Sequence, residues 1–183
     1  TDAACRTASS EHAVVYQREE VYVKNVILRK SWVYAAHGNN CVKPRLRIGE
    51  ERQNLNVVND QFGTPTFAVE IADAIFSIAN QVLGHNTSQF WGTYHYTAKG
   101  WTTWQGFAEV IFETASTWLP NTPDVEGIPS NHSPPAAKLP SHSVLNCSKI
   151  ALTFRPPRRP CHAGLAEGLR ALPTAMHISI TSV

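Results

Sequence analysis

Val57-Val58-Asn59-Asp60-Gln61-Phe62-Gly63-Thr64-Pro65-Thr66 is the stretch that decides the fold. An apolar, β-branched run from Leu55 to Val58 gives way to Asn, Asp, Gly and Pro in close succession. Asn and Asp side chains bond their own backbone, Gly tolerates unusual dihedrals and Pro fixes its own, so a strand here must end in a structured turn. Beyond it, Val69, Ile71, Ala72, Ile75, Phe76, Ile78, Ala79 and Val82 recur at helical spacing up to Gly84, a stop signal. The pattern predicts a well-buried helix. Strand, turn and helix in this order are the repeating unit of an α/β sheet.

The flanks repeat the pattern. Upstream, the run Val26 to Leu28 within residues 20–34 reads as a buried strand leading to Trp32 and Tyr34. In open parallel sheets ligands gather beyond the carboxyl ends of the strands, which places a candidate site there. Residues 40–53 form a helix only after Pro44, with Leu46 and Ile48 as a weak apolar face. Downstream, Trp91 to Thr97 alternates as a strand and Gly100 ends it. Thr102-Thr103-Trp104-Gln105 reads as a capping box. It opens an amphipathic helix through Trp104, Phe107, Ala108, Ile111, Phe112, Ala115, Trp118 and Leu119, whose stripe is core rather than a base-stacking platform. Pro120 to Pro140 reads as a long loop, followed by helices over about 146–154, with Asn146 as N-cap, and 163–172.

Composition narrows the function. The chain has 183 residues with a net charge of +2, too balanced for an electrostatic grip on nucleic acid or an anionic membrane. No run reaches the roughly 20 apolar residues that cross a bilayer, and residues 1–30 lack a secretory pattern, so a cytoplasmic protein with reduced thiols is expected. Cys5, Cys41, Cys147 and Cys161 form no CxxC, and the eight His show no HExxH, so no metal ligands are assigned. Arg155, Arg158 and Arg159 read as a solvated basic loop.

Taken together, residues 27–34 (ILRKSWVY), Gly38-Asn39-Asn40, Glu51-Arg52 and the stretch from Val57 to Thr66 resemble the dTDP-4-dehydrorhamnose reductases in order and spacing. The similarity runs on through Gly92-Thr93-Tyr94-His95, Thr103-Trp104, Ser143-Val144-Leu145-Asn146 and Gly164-Leu165, covering about residues 25–172. The resemblance implies an α/β fold, the C-terminal part of an extended short-chain dehydrogenase/reductase. It would hold a Rossmann-like parallel sheet remnant over residues 1–66 with an interleaved substrate-domain segment, a small α/β substrate-binding domain mainly over 67–175, and a tail from 176 to 183. The implied reaction is NAD(P)H-dependent reduction of dTDP-4-dehydro-L-rhamnose to dTDP-L-rhamnose. NADPH or NADH is the implied cofactor, with Mg2+, and a homodimer is the implied assembly.

Five residues are candidate contacts for the dTDP-sugar. Trp32 would stack on its base or sugar, a contact the resemblance also implies. Asp60, Gln61, Thr66 and Asn40 would bond its polar groups, the competing reading being turn residues that satisfy their own backbone.

Reducing a ketone requires a cofactor held beside the carbonyl carbon and an acid for its oxygen. Reductases of this type use Tyr with Lys four residues later and a glycine-rich turn. None of the five tyrosines here has Lys at that spacing, and the ten glycines stand singly. Residues 3–14 fit the Tyr/Lys helix out of register. The expectation is a truncated chain with no catalytic residues of its own. Lys30, Cys41, Leu139 and Cys161 replace the family's Thr, Phe, Arg and Trp, and losing the Arg leaves only Lys138 as a less directional charge nearby. Two alternatives remain: a non-catalytic binding protein resembling the regulatory subunit of methionine adenosyltransferase, and a related dehydrogenase acting on another nucleotide sugar.

Overall fold

Strand β1 (Val26–Arg29) pairs in parallel with β6 (Gly92–His95), Leu28 facing Tyr94. In this computed structural model the described residues are 24–38, 40–85, 88–133 and 140–175. The expectations for residues 3–14, for Cys5, for Lys138 and Leu139 and for the tail fall outside them. Three more two-stranded pairings follow. β2 (Val33–Tyr34) runs parallel to β5 (Thr66–Phe67), β3 (Asn54–Val58) runs parallel to β8 (Asp124–Ile128), and β4 (Phe62–Gly63) runs antiparallel to β7 (Thr102–Thr103). Strand β8 corrects the reading of residues 120–140 as loop throughout. Asp124-Val125-Glu126-Gly127-Ile128 has a weak strand pattern, and its pairing with β3 makes it one.

The helices are α1 (Val42–Glu51), α2 (Ala68–Gly84), α3 (Trp104–Ala115), α4 (Ser148–Thr153) and α5 (Cys161–Ala175). Helix α1 begins two residues before Pro44, which is tolerated because the first helical N–H groups have no intrahelical partner anyway. The cap of α3 is Thr103, whose hydroxyl accepts from Gly106 N at 3.1 Å, while Gln105 turns outward to donate to Glu109. The expected reciprocal box through Gln105 is therefore replaced by a one-sided cap. The N-cap of α4 is Cys147 rather than the expected Asn146, which lies one residue further out and accepts from Ser148 N at 2.8 Å.

Two cores result. One gathers Phe107, Ala108, Ile111, Phe112 and Ala115 of α3 with Val42 and Leu46 of α1, Val57, Tyr34, Phe67, and Leu165 and Leu169 of α5. Each large side chain there contributes about 1.5–3 kcal/mol by leaving water. The other packs Ile71, Ala74 and Ile78 of α2 with Tyr94, Tyr96, Ile150 and Phe154, against Val26 and Leu28. The two cores interleave along the sequence. Helix α2 departs from expectation: it buries one face, but Val69, Ile75, Phe76 and Leu83 stand 47%, 50%, 70% and 86% exposed.

Candidate functional site

The chain leaves the two parallel pairs β1–β6 and β3–β8 at their carboxyl ends, and residues 59–66 tie these exits together. Thr66 N donates to the Trp32 carbonyl, beyond β1. The Thr64 hydroxyl donates to the Gly100 carbonyl at 2.8 Å, and the Thr66 hydroxyl accepts from Ala98 N at 3.3 Å, both beyond β6. Asp60 accepts from Ser130 beyond β8. Polar turn residues thus serve as connectors between loops, with Thr64 and Thr66 fully buried.

Trp32 sits where the strand reading placed it, but held in place on every side. Its backbone is left-handed at φ 47°, a sparsely populated conformation for a bulky residue. Its indole lies parallel to Trp104, ring centroids 3.6 Å apart. A Cβ added to Gly63 would land directly on Cε2, with Nε1 and Cδ2 next nearest, so the Gly63 backbone covers a ring face. The same face cannot hold both neighbours, so the indole is sandwiched between them. Its Nε1–H donates to Ser143 Oγ at 3.0 Å, and that hydroxyl donates to the Phe62 carbonyl at 3.0 Å. The expected stacking of a base or sugar on Trp32 is therefore closed in this conformation, because both faces are taken; only ring edges remain.

The other candidates divide. Asn40 donates to the Ala35 carbonyl at 2.7 Å and accepts from Val42 N at 3.0 Å, bracing the entry to α1. The Thr66 hydroxyl donates to the Thr64 carbonyl as well as accepting from Ala98 N, so it is fully engaged. Asp60 Oδ2 accepts from Ser130 N and Oγ at 3.0 and 2.9 Å, which holds its carboxyl below the usual range, the backbone bond being the main cause. Its Oδ1 is buried without a partner. Gln61 is half-buried with its amide bonded to no described residue. Beside it lies an aromatic group that sequence reasoning missed: Phe62 stacks on His142 with centroids 5.6 Å apart and meets the edge of Trp101 at 5.4 Å. Ser143 was noted only as part of a string, and its role as the joint between Trp32 and Phe62 depends on contacts more than 80 residues apart in sequence.

A family model described as the RmlD substrate binding domain matches residues 7–173. The chain belongs to this family. Within the RmlD substrate-binding family, the dTDP-4-dehydrorhamnose reductase of Aggregatibacter actinomycetemcomitans is 38% identical over 133 residues, 72% of this chain and 45% of the relative. A solved dTDP-4-dehydrorhamnose reductase from Clostridium acetobutylicum superposes with a TM-score of 0.71 at 31% identity, covering 80% of this chain and 48% of that one. The Bacillus anthracis reductase, solved in complex with NADP, gives 0.68 at 31% identity over 82% of this chain and 50% of that one. The chain spans about half the length of the relatives it matches. Their names agree with the resemblance carried by residues 57–66.

A pyrophosphate is cradled by a glycine-rich turn at a helix N-terminus, whereas the ten glycines here are single and no such turn occurs in the sequence. Nor, among the described residues, do three or more His, Cys, Asp or Glu side chains gather as a metal site, which leaves the expected Mg2+ without a donor set. No helix of the described residues is long and apolar enough to cross a membrane.

The basic loop is solvated only in part: Arg155 and Arg159 are exposed and Arg158 is half-buried, but two of the three guanidinium groups are engaged. Arg158 donates from Nε to the Thr97 carbonyl at 2.7 Å and from Nη2 to the Ala98 carbonyl at 3.0 Å. Arg159 bridges Glu70 at 2.9 Å and Glu167 at 2.7 Å. Glu70 is only 5% exposed, and burial raises its carboxyl above the ordinary value despite the guanidinium. Tyr96 donates to the carbonyls of Glu70 and Pro157, and burial pushes its hydroxyl up to about 12. A Cβ at Gly164 would come 2.8 Å from Glu70 Oε1 and 3.2 Å from Tyr34 Oη, so α5 passes against this cluster only as glycine.

Proposed function

We propose that this chain is the substrate-recognising portion of a dTDP-4-dehydrorhamnose reductase, the enzyme that reduces dTDP-4-dehydro-L-rhamnose to dTDP-L-rhamnose with NAD(P)H. The observation that carries the reading is residues 59–66 joining the exits of two parallel strand pairs in a chain whose relatives bear that name. Ligands of open α/β sheets collect at those exits.

In this reading Gln61 bonds the sugar or nucleotide through its amide, which bonds no described residue, beside the Phe62, Trp101 and His142 aromatics. Asp60 holds the turn in place through Ser130. Trp32 contributes a ring edge, while Asn40 and Thr66 shape the site by fixing its backbone. The core around β1, β6 and α2 corresponds to the nucleotide-binding layer, and the core around α1, α3 and α5 to the substrate-binding layer.

Hydride transfer is not assigned to this chain, because its sequence holds neither the Tyr/Lys pair nor the glycine-rich turn. The test is NADPH oxidation with dTDP-4-dehydro-L-rhamnose beside a binding titration with dTDP-L-rhamnose. The expected result is saturable binding without turnover; turnover by the 183-residue chain alone contradicts the division of labour.

A further inference from the structure

Of the five tryptophans Trp101 alone is exposed, at 60%, while Trp32, Trp91, Trp104 and Trp118 are half-buried. Its backbone is nonetheless pinned to the 59–66 turn on both sides. The Gly100 carbonyl before it accepts from the Thr64 hydroxyl at 2.8 Å, and Thr102 after it pairs with Gly63 between β7 and β4. Gly100 itself turns left-handed at φ 86°, a conformation that suits glycine. The Trp101 ring meets Phe62 at 76°, centroids 5.4 Å apart, and Phe62 stacks in turn on His142. Phe62 and Trp101 pack against neither hydrophobic core. A lone exposed apolar side chain needs no explanation. An indole braced by a second ring, with its backbone fixed at the strand exits, is instead an aromatic surface set in advance for a flat ligand.

Trp32 does not offer such a surface, because Gly63 and Trp104 cover its faces. The chemistry of the ligand decides which part Trp101 receives. A dTDP-sugar has one aromatic portion, the pyrimidine, and it lies at the opposite end of the molecule from the ketone that is reduced. The ketone belongs beside the nucleotide-binding layer around β1 and β6, whereas Trp101 stands outside both cores. The diphosphate is charged and bonds polar groups; the pyrimidine offers a π face, which stacks on aromatic side chains. We propose that Trp101 stacks on the pyrimidine base of the sugar nucleotide, with Phe62 bracing the indole. The inference rests on the reading of residues 59–66 as a sugar-nucleotide site and names the part of the ligand that anchors at its outer edge.

Titration of the whole chain with dTDP-L-rhamnose and with dTDP, which carries the base but not the sugar, tests it, with thermal melts to confirm folding. The parent is expected to bind both and to lose tryptophan emission on saturation with either. Trp101→Ala, and Trp101→Gln as a second variant of closer bulk, melt at the parent's temperature and bind both ligands about tenfold more weakly, by similar factors. Trp101→Phe retains most of the affinity and loses most of the emission change. Equal affinity in the parent and Trp101→Ala overturns the proposal while leaving the sugar-nucleotide reading intact. So does a weakening confined to dTDP-L-rhamnose, because Trp101 then touches the sugar. A parent that binds neither ligand overturns both.

Discussion

Trp32 and Trp104 lie face to face, their centroids 3.6 Å apart and their planes 8° from parallel, with Arg45 5.0 Å from the Trp104 ring centroid and Gly63 against the opposite face of Trp32. Backbone, indole, indole and guanidinium form four layers that join the exit of β1, the 59–66 turn, α3 and α1. Gly63 is the thinnest layer. Gly63→Ala drives a methyl group onto the indole and is expected to cost about 1–3 kcal/mol as overpacking, read as a lowered urea midpoint. An unchanged midpoint would show that Trp32 is free to move aside.

Ser143 is the second anchor of that indole. Ser143→Ala removes the acceptor of the Trp32 Nε1–H and the donor to Phe62 O. The expected loss is about 1–2 kcal/mol, accompanied by a change in near-ultraviolet dichroism from the Trp pair. Loss of stability with an unaltered aromatic signal would place the role of Ser143 elsewhere.

Much of this architecture is legible in the sequence, and what is not has a common cause. Local periodicity announces α3, with Phe107, Ile111 and Phe112 buried as spaced, and the Asn-Asp-Gly-Pro composition announces the turn. Strand β8 is invisible because its identity comes from β3, far away in sequence. The Arg158 and Arg159 contacts are hidden likewise, since their acceptors lie at 97, 98 and 70. At the site, Asp60 and Gln61 stand out by residue type. Nothing local reveals that Gly63 and Trp104 close both faces of Trp32. The exposed stripe of α2 is the reverse case, where sequence predicts burial that the described residues do not supply.

Glu70 and Arg159 give a pH-dependent prediction. Burial raises the Glu70 carboxyl and Arg159 lowers it, so a raised folded value means that Glu70 favours the fold below its ordinary value of 4.5 and loses that contribution as pH rises through the folded value. Arg159→Leu removes the compensating cation and raises the carboxyl further. The variant is expected to lose about 1–3 kcal/mol at neutral pH, with a deficit that shrinks as pH falls through the raised folded value, above the ordinary 4.5. Thermal melts across that window check it, and adding Glu70→Gln should recover part of the loss. A deficit independent of pH would contradict the ionic account.

Asp60 works with the opposite sign. Its bonds from Ser130 hold the carboxyl below 3.8, so its contribution is complete above the unfolded value and fades as pH falls through the folded one. Asp60→Asn is expected to lower the melting temperature at neutral pH and to converge on the parent below about pH 4. Parallel curves that never converge would remove Asp60 from the acid limb.

The turn from Asn59 to Thr66 is proposed to present a sugar-nucleotide site. Isothermal titration of the whole chain with dTDP-L-rhamnose, alongside Gln61→Ala, tests it most directly. The parent chain is expected to bind saturably, and the variant to melt at the same temperature yet bind roughly five- to tenfold more weakly, the worth of one or two hydrogen bonds. Absence of saturation, or equal affinity in the two proteins, would contradict it.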